Sequence, residues 1–204
     1  FYGTTSLATL AFAGGSKLTS IGNQAFTNSG ITNLDIPDSV TSIGESAFSD
    51  CIMLESIDIP ETVTKIDDLA FNGCQCMTKV ELHDGIKKIG KSAFKKCRAL
   101  TKISLPASVT SISNAPFRGC ESLKSIKVEP KNKNYKSEPN KREGTDHVLF
   151  NKNKSILIAY PASSREIQYE IPDSVTVVSD WAFCECKKLT RITIPDSVTS
   201  IYTA

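Results

Sequence analysis

The sequence predicts a solenoid of 23-residue repeats, with a parallel β-sheet on the concave face and short strands, turns and helical turns on the convex side. Three observations predict it. "SVTSIGESAFSDC" at 39–51 returns as "TVTKIDDLAFNGC" at 62–74, "GIKKIGKSAFKKC" at 85–97 and "SVTSISNAPFRGC" at 108–120. The phenylalanine before each cysteine falls at Phe26, Phe48, Phe71, Phe94 and Phe117, in steps of 22, 23, 23 and 23, and returns at Phe183. The apolar positions move with it: Ile57, Ile59, Val63, Ile66, Ala70 and Phe71 of one unit match Val80, Leu82, Ile86, Ile89, Ala93 and Phe94 of the next. One such unit cannot bury its apolar side alone, whereas stacked units share a continuous core.

Each part of the unit has a physical reason. Ile57 and Ile59 alternate with Ser56 and Asp58, which gives one apolar and one polar face, the pattern of a half-buried strand. Proline ends that strand at Pro37, Pro60, Pro106, Pro172 and Pro195, because it lacks the N–H that a ladder needs. The Val-x-x-Ile part forms a second short extended piece. Ala-Phe-x-x-Cys then turns the chain, and its spacing suggests a helical turn. Each cysteine occupies the same position on successive rungs, roughly 5 Å apart as adjacent strands are.

The chain has 204 residues, 40% hydrophobic and 23% charged, with a net charge of +2. No stretch approaches the roughly 18 apolar residues of a membrane span, and no basic start with an apolar run reads as a secretory signal. "FYGTTSL" at 1–7 aligns with "FNGCQCM" at 71–77, and "SIYTA" at 200–204 with "KIDDL" at 65–69. The expectation is one solenoid over 1–204, truncated at both ends.

The pattern breaks after Val128, and an irregular insertion spans 129–170. Residues 129–146, rich in Lys, Asn, Pro and Glu, read as a loop. "HVLFNKNKSILIAYP" reads as a hairpin, with strands Val148–Phe150 and Ile156–Tyr160 and a turn at Asn151–Lys154. Ile167, Tyr169 and Ile171 alternate and rejoin the stack. Two readings of the insertion stand: a binding loop, or a tolerated surface excursion.

The repeat "IPDSVTSIGESAFSDCIMLESIDIP" at 36–60 resembles the BspA-like, or Treponema-type, branch of the leucine-rich repeats. The segment "NKNYKS…HVLFNKNKSILIAYP" also resembles an insertion common in such proteins. The resemblance implies a leucine-rich-repeat solenoid from a bacterial or protozoan surface protein, hence an extracellular or cell-surface location. Many such proteins are proposed to bind host proteins or other cells. It supplies no catalytic residues. The chain departs from the pattern at His83 in place of Pro, at Pro116 in place of Ala, and in the loop "SEPNKREGTDH".

Of seven cysteines, Cys51, Cys74, Cys97, Cys120 and Cys186 form the ladder. One per rung and an odd total argue for buried small hydrophobes over a disulfide framework. Cys74-x-Cys76 and Cys184-x-Cys186 could suggest zinc, but the pairs lie several rungs apart and cannot share one ion. His83 and His147 have no sequence partner that completes a ligand or acid–base set. No nucleophile elbow, phosphate loop or dinucleotide fingerprint occurs. The reading is therefore a non-enzyme without metal or cofactor.

Charge is the informative surface feature. Residues 1–60 hold one lysine against six acids, a net −5, whereas residues 79–154 hold eighteen Lys or Arg against seven acids, a net +11. Two outward strand columns should read Asn33, Ser56, Lys79, Lys102, Ser125 and Asp35, Asp58, Glu81, Ser104, Lys127. Lys87, Lys88, Lys91, Lys95, Lys96 and Arg98 add positive charge on the outer half. Such a field steers an acidic protein or glycan partner; the plain alternative is a solvated lysine-rich surface. No aromatic stacking set accompanies the lysines, so nucleic acid is not expected. The single tryptophan, Trp181, is either a contact residue or packing for the neighbouring rung. The candidate binding residues are Lys79, Glu81, Lys102, Lys127 and Trp181. The expected function is a surface binding or adhesion module, with a structural spacer as the alternative.

Overall fold

From Asn33 to Val128 each coil contributes two short strands, which form two rows of parallel strands stacked at the repeat spacing. The computed structural model describes residues 1–139 and 146–203. The Ile-x-Ile segments form β2 (Asn33–Asp35), β4 (Ser56–Asp58) and β6 (Lys79–Glu81) in one sheet, and β8 (Lys102–Leu105) with β10 (Ser125–Val128) in another. The Val-x-x-Ile segments form a second row: β1 (Ser20–Ile21), β3 (Ser42–Ile43), β5 (Lys65–Ile66), β7 (Lys88–Ile89) and β9 (Ser111–Ile112). Alternation sets burial, as in β4, where Ile57 is buried between exposed Ser56 and Asp58.

The core between the rows repeats rung by rung. Phe1, Phe26, Phe48, Phe71 and Phe94 stack with ring centroids 5.2, 5.2, 5.3 and 5.5 Å apart, and Phe117 continues the column at 6.1 Å. These separations lie within the range of favourable aromatic pairs. The ladder thiols do more than fill space. Cys51, Cys74, Cys97 and Cys120 donate to the carbonyls of Phe26, Phe48, Phe71 and Phe94, at 2.9, 3.2, 3.2 and 3.0 Å.

The expected helical turn is corrected. Among the described residues there is no helix. The residue before each Ala-Phe takes a left-handed backbone: Gln24, Ser46, Leu69, Ser92, Ala115 and Trp181 all have φ between 54° and 59°. That conformation points the N–H along the stack, and the bonds run to the next rung: Ser46 to Asp68 O, Leu69 to Lys91 O and Ser92 to Asn114 O. A helical turn would have kept those N–H groups within its own rung. A second left-handed column holds Asn28, Asp50, Gly73, Lys96 and Gly119, mostly residue types that tolerate it.

The insertion is a three-stranded meander. β11 (Tyr135–Pro139), β12 (His147–Asn151) and β13 (Ile156–Ala159) are antiparallel neighbours. β13 then pairs in parallel with β15 (Val177–Val178), which pairs with β17 (Ser200–Ile201), while β14 (Gln168–Glu170) pairs with β16 (Arg191–Thr193). The loop reading of 129–146 is corrected at β11. Residues 140–145 of that expected loop lie outside the described residues. β11 escapes a sequence reading because its residues, Tyr-Lys-Ser-Glu-Pro, carry no apolar alternation; β12 supplies the apolar side of the pairing.

The meander partitions the interior. Leu149 and Ala159 belong to the core of the preceding coils, whereas Val148, Phe150, Leu157 and Tyr160 belong to a second core with Ile171, Val175 and Val178. Successive residues of a strand point to opposite faces, so β12 is buried on both sides. Tyr160 takes the phenylalanine slot of the inserted rung: its N–H donates to Ala182 O, and its ring lies 5.3 Å from Phe183.

Candidate functional site

The register assembles the strand face. Asn33, Ser56 and Lys79 are paired in one column, and Asp35, Asp58 and Glu81 in the next. Carboxylates directly opposite one another repel. Lys79 answers this by pairing with Glu81 of its own strand, and that hydrogen bond holds the Lys79 ammonium above its ordinary value. His83 answers it too, with Nε2 2.9 Å from Asp58 Oδ1.

Beyond β6 the face turns basic. On β8 and β10, Ser125 pairs with Lys102 and Lys127 with Ser104. Lys102 and Lys127 are exposed on neighbouring strands of one face. Among the described residues neither has an ion-pair partner. The outward column does not reach its expected end in solvent. Ser125 is buried, because the meander covers it and His147 Nδ1 lies 3.1 Å from its hydroxyl. The covered serine places Lys102 and Lys127 beside the root of the meander.

Trp181 is not part of this face. It sits in the outer-turn row with φ 59°, and the Arg118 guanidinium lies 3.4 Å from its ring centroid. This cation–π contact reaches across the shortened rung of Tyr160, where Asn114 also donates to Asp180 at 3.1 Å and Lys187 meets Glu121 at 3.3 Å. A cavity of about 10 Å³ remains beneath, lined in part by Phe117, Ala159 and Ala182.

The outer half of the adjacent coil carries Lys87, Lys88, Lys91 and Lys96 exposed. Lys95 is partly covered; burial, together with the nearby Arg118 and Lys96 charges, lowers its pKa. The lysines thus form two groups, one on the strand face and one on the outer turns. Among the described residues no helix is long and apolar enough to cross a membrane.

Sequence reading missed the meeting of Asp58, Glu81 and His83. Their ligand atoms all lie within 4.8 Å of one another. The signal was present in the period: His83 stands one repeat after Pro60, two residues beyond Glu81, and Glu81 stands one repeat after Asp58.

Comparisons place this architecture among known proteins. No curated protein sequence matches the chain. A leucine-rich repeat protein from Eubacterium ventriosum is 30% identical, with a TM-score of 0.68 over 84% of this chain and 50% of that one. The pneumococcal vaccine antigen PcpA is 25% identical, with a TM-score of 0.60 over 92% of this chain and 45% of that one. A leucine rich cell surface protein from Faecalibacterium prausnitzii is 25% identical, with a TM-score of 0.57 over 90% of this chain and 60% of that one. The chain therefore spans about half the length of these solved structures. The model of the BspA type leucine rich repeat region matches in six copies, over residues 1–69, 19–143 and 160–204. With most of its length accounted for by those copies, the chain belongs to the BspA-type leucine-rich-repeat family.

Proposed function

We propose that this chain is a non-enzymatic binding module of a bacterial cell surface. It holds an acidic protein or glycan through the basic end of its strand face and the adjoining meander. The observation that carries this reading is the exposed couple Lys102 and Lys127 on β8 and β10, neither with an ion-pair partner among the described residues. The pairing of β8 with β10 fixes the spacing of the two lysine backbones, while each side chain is ordered on binding at a cost of about 0.5–1.5 kcal/mol. The acidic column on the other side of Lys79 gives the face a direction, so an elongated acidic partner is steered to one end. The surface setting is supported by the similar proteins, one of them a cell surface protein and another a vaccine antigen. Fold alone does not assign a ligand.

The test is a binding screen on immobilised matrix proteins, sulfated and sialylated glycans, and epithelial or bacterial cells, at low and high salt. Saturable binding that weakens with salt is expected. The double variant Lys102→Glu/Lys127→Glu should weaken it by at least about tenfold, equivalent to about 1.4 kcal/mol. Binding unchanged by that variant rejects the strand-face site. No binding at any salt by the folded chain rejects the module and leaves a structural spacer.

A further inference from the structure

Among the described residues, one place on the strand face brings two carboxylates and an imidazole together. Asp58 of β4 and Glu81 of β6 are paired directly, with Asp35 next in the same column. Such a column is repulsive. His83 stands two residues after Glu81 and reaches back across the strand to Asp58. The neighbouring rungs hold Pro60 and Pro106 in that slot, and a proline offers no ligand atom.

The imidazole separates this set from an ordinary acidic patch. One oxygen of Asp58, one oxygen of Glu81 and one ring nitrogen of His83 lie within 4.8 Å of one another. Ligand atoms each about 2.0–2.2 Å from a shared tetrahedral zinc ion lie about 3.3–3.6 Å from one another. His83 Nε2 and Asp58 Oδ1, 2.9 Å apart, are already closer than that, and the widest pair has to close by at most about 1.5 Å. Asp58 and Glu81 are side chains 71% and 48% exposed, free to make that adjustment. Strand pairing fixes the separation of the Asp58 and Glu81 backbones, and His83 follows two residues beyond the end of β6.

We propose that Asp58, Glu81 and His83 form a binding site for a divalent transition-metal ion on the strand face. Two carboxylates balance the charge of one divalent ion. A nitrogen with two oxygens suits zinc, nickel, copper or cobalt, whereas calcium and magnesium favour all-oxygen sets. Lys79 is the built-in competitor, since it holds Glu81 when no ion is bound. Metal entry displaces its ammonium from that carboxylate. This inference stands apart from the binding role of Lys102 and Lys127 and does not need it.

The experiment is calorimetric titration of the reduced 204-residue chain with zinc, paired with cobalt absorbance. One ion per chain is expected, with no thiolate-to-cobalt charge-transfer band. His83→Ala and Asp58→Asn should each weaken binding by at least the roughly 10–100-fold that loss of an outer-shell partner costs. Lys79→Gln should tighten it. Zinc should also raise the Tm of the wild-type chain but not of His83→Ala, and the metal-free Tm checks that each variant is folded. Equal affinity in wild type and His83→Ala overturns the proposal. So does a thiolate band, which would move the ion to Cys76 or to Cys184 and Cys186. An absence of binding at millimolar zinc overturns it as well.

Discussion

The regular coils and the inserted meander solve the same problem in opposite ways. In the regular coils before the meander one solution is copied: the thiols of Cys51, Cys74, Cys97 and Cys120 each satisfy the phenylalanine carbonyl of the rung before, whereas Cys186 beyond the meander turns to Cys184 O of its own rung. In the meander every bond is made once. The buried carboxamide of Asn132, one repeat after Val109, donates to Pro106 O and Val109 O and accepts from the N–H groups of Asn134 and Tyr135. Asp146 accepts from the Ser164 hydroxyl and the Arg165 N–H, both at 3.0 Å. Repetition spreads stability over neighbours, as expected of a one-dimensional stack. A unique network concentrates it, so single changes there should do more.

The sharpest break should come at the wall between the two cores. Phe150 is 1% exposed, and its strand is buried on both faces. Phe150→Ala should cost about 3–5 kcal/mol. It should also uncouple the halves, so that amides of 148–203 exchange before those of 20–123 in hydrogen-exchange mass spectrometry. A single cooperative loss of protection across both halves would show that the wall does not divide them energetically.

A matched pair of smaller changes sharpens the contrast. Asn132→Ala strands the Val109 carbonyl and two N–H groups at a site with no exposure, and leaves Pro106 O with only the Val109 N–H. Its expected cost is about 2–3 kcal/mol, the upper part of the roughly 1–3 kcal/mol range for unsatisfied buried groups. Cys97→Ala removes one weak donor from one of several equivalent rungs, and about 1 kcal/mol is expected. Urea midpoints at a constant m-value measure both. Equal losses would mean that the unique network carries no more than the copied one.

The sequence made the repeated half legible because identical residues mark identical environments. Phe71 and Phe94 announce their stacking by spacing alone, and Ile57 and Val80 announce theirs by alternation. The outer turn was misread because Ala-Phe-x-x-Cys has near-helical spacing, whereas the deciding fact is the positive φ of Leu69 and Ser92, residues that do not advertise it. Gly73 and Gly119 were the available hint. β11 was unreadable because its pairing partner, not its own composition, makes it a strand. At the strand face, the columns of Lys79 and Glu81 were readable by period. The burial of Ser125 was not, since a segment 22 residues further on covers it.

Near neutral pH the smallest expected effect lies in the proton equilibria of the ladder, and its sign distinguishes the regions again. Burial pushes the Cys120 thiol up from 9.0 to about 12, and burial raises Cys74 and Cys97 well above the ordinary value. The unfolded chain then loses these protons near pH 9 while the folded chain keeps them. Their contribution to stability is complete below pH 9 and falls as pH rises towards about 12. The 129–170 segment contains no cysteine and carries the opposite device at Glu138. Burial there favours the neutral acid, but hydrogen bonds from Lys136 and Lys154 outweigh it and hold the carboxyl below 4.5. That contribution is present above pH 4.5 and is lost as pH falls. Alkylation at pH 8 gives the direct reading. Exposed Cys76 should react first, and Cys74 and Cys97 only through opening of the coils. Labelling of Cys97 as fast as Cys76 would show that the copied thiol bonds do not hold the rungs closed.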